Sequence, residues 1–164
     1  MVRRIAGLAL VAVALCPFLA ACGPTMQIRM SVSLVDQSVR LSILLCANQK
    51  VNSISLRDDA SPSGEWIVVN SVNTRSEEEM RWFTATLLET PPSFNVKTDT
   101  ITDIADRSRY YLYVSTDAAS SPSVYFGLSD LTALGRDQVW VATQRGGKAM
   151  NRNTFEDTAD DYCE

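Results

Sequence analysis

An antiparallel β-sandwich or barrel is the fold class that the sequence predicts, and three observations predict it. Apolar residues alternate with polar ones in short runs, these runs recur between segments rich in Ser, Asp, Asn, Pro and Gly, and no long amphipathic helical pattern competes with them. The 164 residues, 46% of them hydrophobic and 21% charged, suffice for one compact domain. With 8% aromatics, seven Gly and six Pro, the chain is neither collagen-like nor of low complexity.

From Gln27, Ile28, Met30, Val32 and Leu34 alternate with Arg29, Ser31 and Ser33, the pattern of a half-buried strand. After Asp36-Gln37 the alternation resumes at Val39, Leu41, Ile43 and Leu45, which predicts a hairpin with Cys46 near the end of its second strand. Further strands are expected over 51–57, 65–70, 80–88, 110–115, 124–128 and 138–143, seven to eight in all. The stretch 89–109 admits a brief helix, because Asp99, Asp103 and Asp106 fall at i, i+4, i+7 beside Ile101, Ile104 and Ala105. Residues 145–164 show no strand period and read as a polar tail.

The N-terminus reads as an export signal. Arg3-Arg4 precede an uncharged apolar run from Ile5 to Leu15, about half of what a spanning helix needs, and Pro17 breaks it before Leu19-Ala20-Ala21-Cys22. Those four residues resemble the lipobox of bacterial lipoproteins, which implies cleavage after Ala21 and diacylglycerol on the Cys22 sulfur. Cys16 fits the motif poorly, between Leu15 and Pro17. Two acyl chains, at about 0.8 kcal/mol per buried methylene, hold a protein stably on a bilayer. The resemblance therefore implies residues 1–21 as signal peptide, 22–26 as a lipidated linker, a β domain over 27–144, and a location on the extracytoplasmic face of a cell membrane. The outer membrane is included if the organism has one. The excess of Arg over Lys and the frequent Ala resemble the composition of high-GC bacteria such as actinobacteria.

A second resemblance concerns the fold. Ile104, Ser108 and Tyr110 are spaced like the Leu, Thr and Tyr of the tyrosine corner in fibronectin type III domains, which implies a Greek-key sandwich of the immunoglobulin/fibronectin III kind. The sequence departs from that family at Asp106 and Arg107, where Pro and Gly are usual, and in having no Trp in the second strand.

Cleavage removes Arg3 and Arg4 but no acid, so a chain of net charge −4 becomes more acidic on export. Lys50, Lys97 and Lys148 are the only lysines and no basic run exists, so the footprint of nucleic-acid binding is missing. With Cys22 acylated, Cys46 and Cys163 are the two thiols left in an oxidising compartment, and a disulfide between them is expected. Such a bridge closes a loop of over a hundred residues, for which chain entropy gives about 4 to 5 kcal/mol before strain is deducted.

The sequence contains no His, which removes the commonest general base and metal ligand. Gly127-Leu128-Ser129-Asp130-Leu131 lacks the closing Gly of a nucleophile elbow, so Ser129 reads as a strand-end residue. No phosphate-cradling Gly-rich loop is present, and no cofactor or metal is expected. Carboxylates remain: Glu77-Glu78-Glu79, the Asp99/Asp103/Asp106 set, and Glu156-Asp157 with Asp160-Asp161. They leave a carboxylate-dependent hydrolase of envelope polysaccharide as the alternative function, with calcium as a lesser reading for the tail.

The favoured expectation is a non-enzymatic binding or scaffolding module for a protein or glycan partner. If Leu112, Val114, Val124, Phe126, Val139 and Val141 face the core, alternation turns Tyr111, Tyr113, Tyr125 and Trp140 to the opposite face as an aromatic strip. Met150, Phe155 and Tyr162 of the tail are expected to cover it.

Overall fold

The computed structural model describes residues 30–72, 80–117, 123–143 and 146–160. Ten strands and two short helices follow in the order β1 (Met30–Val35), β2 (Ser38–Cys46), β3 (Val51–Asp58), β4 (Glu65–Asn70), β5 (Met80–Thr86), β6 (Phe94–Asp99), β7 (Arg109–Thr116), β8 (Ser123–Gly127), α1 (Leu128–Thr132), β9 (Gln138–Thr143), β10 (Gly146–Asn151) and α2 (Arg152–Asp160). They form two five-stranded antiparallel sheets, ordered β10-β9-β1-β2-β5 and β6-β4-β3-β7-β8. The protein is an all-β, sandwich-like domain.

Alternation along each strand decides which side chains enter the layer between the sheets. Met30, Val32, Leu41, Ile43 and Leu45 from one sheet meet Ile54, Leu56, Trp66, Val68, Leu112, Val114, Val124 and Phe126 from the other, all buried in one cluster. The β1–β2 connection is a two-residue turn in which Asp36 (φ 49°) and Gln37 (φ 66°) are both left-handed, the backbone that matches the twist of a hairpin.

The expected strands are all present, and two more join them. β6 escapes a period-two reading because a bulge where it faces Ile67 and Val68 breaks its alternation, and Phe94 is its one buried side chain. β10 escapes because Gly146-Gly147-Lys148 has little strand propensity. The sandwich therefore continues past 144: β10 pairs along the whole of β9, and the segment read as polar tail supplies a strand and a helix. In place of a brief helix, 89–109 holds β6 and a loop tied to Tyr110, whose hydroxyl accepts a hydrogen bond from the Ala105 N–H at 2.8 Å.

Candidate functional site

Tyr111, Tyr113 and Tyr125 share the outer face of the β3–β4–β7–β8 sheet. Register places Tyr111 opposite both Tyr125 and Arg57, and Tyr113 opposite both Ser123 and Ser55. The Tyr111 and Tyr125 rings lie 4.7 Å apart between centroids, tilted by 42°. Across the small Ser53 and Ser55 of β3 stand Val69 and Ile67 of β4, so a hydroxyl-bearing strand runs between an aromatic and an aliphatic flank. At one end Arg57 donates to Glu65 Oε1 at 2.9 Å. Tyr113 and Tyr125 are 36% and 39% exposed, enough for both rings to meet a partner.

Trp140 does not join this strip. Its strand, β9, belongs to the other sheet and is covered on both sides, which single-face alternation cannot register. Val139 and Val141 are buried as expected, but against Phe155 of α2 on the outside of the sheet and not in the main core. Trp140 consequently turns inward, packs on the main core, and donates its Nε1–H to the Tyr125 carbonyl at 2.8 Å, closing one side of the sandwich against β8. Gly147 makes room for the indole: a Cβ there would stand on Trp140 Nε1 and 2.8 Å from Cδ1.

The expected cover over the tyrosines lies elsewhere. Phe155, 2% exposed, packs on Val139 and Val141 with Met150 nearby, and its ring stands 5.4 Å from that of Trp82 on β5. The tail helix thus caps the first sheet and leaves the tyrosine face of the second uncovered by it. One apolar side chain in a polar helix gave no sign of which sheet it would choose.

The carboxylate sets scatter. Asp103 and Asp106 line a cavity of about 430 Å³ between the β1–β2 turn and the 103–106 loop, with Leu87, Leu88 and Ile104 as apolar wall. Asp99 ends β6, and Asp103 Oδ1 accepts the Ile104 N–H at 2.8 Å. Glu156 and Asp157 are exposed on α2, with Asp160 its last residue. Ser129 lies in the first turn of α1, where Asp130 Oδ2 takes the Gly127 N–H at 2.8 Å and approaches Arg109 at 3.4 Å. Among the described residues no group of three or more His, Cys, Asp or Glu is placed to hold a metal, and no helix is long and apolar enough to cross a membrane.

Leu19, Ala20, Ala21, Cys22, Glu77, Glu78, Glu79, Asp161, Tyr162 and Cys163 lie outside the described residues. Cys46 ends β2, half-buried. No protein-family model, no curated protein and no solved structure matches the chain.

Proposed function

We propose that the protein is a membrane-anchored envelope lipoprotein, held by diacylglycerol on Cys22, whose sandwich binds an envelope glycan or protein through the Tyr111/Tyr113/Tyr125 face. The observation that carries this reading is that, among the described residues, Tyr113 and Tyr125 are exposed on one sheet while Phe155 of the tail helix packs on the other. Aromatic rings beside serine hydroxyls suit a sugar, which offers CH faces to the rings and hydroxyls to the strand, so the glycan is the preferred partner. Seven residues, 23–29, separate Cys22 from β1, a reach of about 25 Å when extended, so the domain stays close to the bilayer.

The test is binding of the full chain, in detergent micelles, to isolated cell-wall glycan. Retention that falls at least tenfold in a Tyr113→Ala/Tyr125→Ala variant of unchanged thermal stability supports the reading, and equal retention removes it. The alternative, a carboxylate-dependent hydrolase, draws on the cavity rimmed by Asp103 and Asp106. Release of sugar fragments that is abolished in Asp103→Asn and Asp106→Asn would put it first.

We also propose that Cys46 and Cys163 pair. Cys46 ends β2 and is half-buried, and the course of α2 supports the pairing. The helix starts beside Asp137, spans about 14 Å, and sets Phe155 on Trp82, whose strand partner Leu44 is two residues from Cys46. A Greek-key sandwich of the immunoglobulin/fibronectin III kind is proposed on two supports, the partner order β1-β2-β5 facing β4-β3-β7-β8 and the Tyr110 hydroxyl bond to Ala105.

A further inference from the structure

A recess of about 180 Å³ lies under α2 on the outer face of the first sheet, the opposite side of the molecule from the tyrosines. Strand register builds its floor. Ser31 of β1 is paired with Ser42 of β2, and Ser42 with Thr84 of β5, so three hydroxyl side chains stand in one row across the sheet. Two residues along β2 on one side of the row is Arg40, and two residues along β5 on the other is Trp82, both lining the same recess. α2 forms the roof with Arg152 and Glu156, one turn apart, and the buried Phe155 holds the helix down.

Three features of this recess bear on what it could hold. Ser31 is 2% exposed, yet its hydroxyl has no hydrogen-bond partner among the described residues. A buried hydroxyl without a partner is costly and uncommon in native proteins. Neither Arg40 nor Arg152 has a carboxylate within ion-pair reach among the described residues, although acids outnumber bases along the chain. The Trp82 ring, 38% exposed, presents an aromatic surface beside them.

We propose that the recess binds a phosphate ester of a polyol or sugar. The guanidinium groups of Arg40 and Arg152 match phosphate oxygens in fixed, forked geometry. Ser31, Ser42 and Thr84 donate to the phosphate or exchange hydrogen bonds with polyol hydroxyls, which satisfies Ser31. The Trp82 ring covers the CH side of the carbon chain, and Glu156 at the rim accepts a hydroxyl while disfavouring a bare anion. The volume accommodates one such unit. A free ester and a phosphate-linked envelope polymer share this chemistry.

The experiment uses the full chain in detergent micelles, titrated separately with glycerol 3-phosphate, short poly(glycerol phosphate) and glycerol, and followed by calorimetry and tryptophan fluorescence. Saturable binding of a phosphate probe but not of glycerol is expected, at least tenfold weaker in Arg40→Gln and in Arg152→Gln. Ser31→Ala should weaken binding severalfold with the thermal midpoint kept, and Trp82→Phe should abolish the fluorescence response while calorimetry still reports binding. Tighter binding of the polymer identifies it as the source, and tighter binding of the monoester identifies a free metabolite. Absence of saturable binding by either phosphate probe, or full affinity in an Arg40→Gln/Arg152→Gln variant that remains folded, overturns the proposal. The tyrosine variants leave this binding untouched, so its failure and that of the glycan face are told apart.

Discussion

Substituting Gly147 by Ala probes how the sandwich is closed between β8 and β9. An added Cβ would stand on Trp140 Nε1, 2.6 Å from Cε2 and 2.8 Å from Cδ1, while the indole is held by its hydrogen bond to the Tyr125 carbonyl. The ring must therefore rotate away or the β9–β10 hairpin must open. Overpacking costs about 1 to 3 kcal/mol and the lost hydrogen bond about 1 kcal/mol more. Replacing Gly by Ala in a strand returns about 0.5 to 1 kcal/mol of chain entropy. The net loss is then about 1 to 3.5 kcal/mol, which for a domain of this size lowers the melting temperature by roughly 4 to 13 °C. Denaturant unfolding of the parent, Gly147→Ala, Trp140→Leu and the double variant measures it. With the indole gone, Gly147→Ala should cost nothing or stabilise slightly. An equal loss in both backgrounds, or a loss under about 0.5 kcal/mol in the parent, refutes the assigned clash.

Other substitutions report on separate parts of the fold. Tyr110→Phe removes the acceptor for the Ala105 N–H and should cost about 1 to 2 kcal/mol in urea unfolding, with the loop at 103–106 exchanging amide hydrogens faster. Phe155→Ala strips the anchor of α2 from Val139 and Val141 and should cost about 3 kcal/mol, with hydrogen exchange rising in α2 first. Gln37→Gly relieves a left-handed non-glycine residue in the β1–β2 turn and should raise stability by about 0.5 kcal/mol, read as a higher urea midpoint at constant slope. Cys46→Ala and Cys163→Ala should destabilise equally, by about 2 to 4 kcal/mol, and a reducing agent should affect neither variant further.

Much of the core was legible because most core strands bury only one face. Val32, Leu41, Ile54, Leu112 and Phe126 stand where period-two alternation places them, and Tyr111, Tyr113 and Tyr125 turn outward by the same rule. β9 broke the rule because both of its faces are covered, which sent Trp140 inward and left Val139 and Val141 to α2. β6 and β10 were hidden because edge strands need few apolar residues, and in β10 a glycine is required by a side chain on its neighbour. The recess under α2 was illegible for a different reason. Ser31, Ser42 and Thr84 become neighbours only through the pairing of three strands, and Arg152 reaches them only after a helix has chosen its sheet.

The measurement that most directly tests the proposed anchoring is intact-mass and N-terminal peptide analysis of the protein recovered from bacterial membranes. The account predicts a chain beginning at Cys22 and carrying the mass of a thioether-linked diacylglycerol. A chain that retains Met1, or that begins past Ala21 with an unmodified Cys22 thiol, contradicts it.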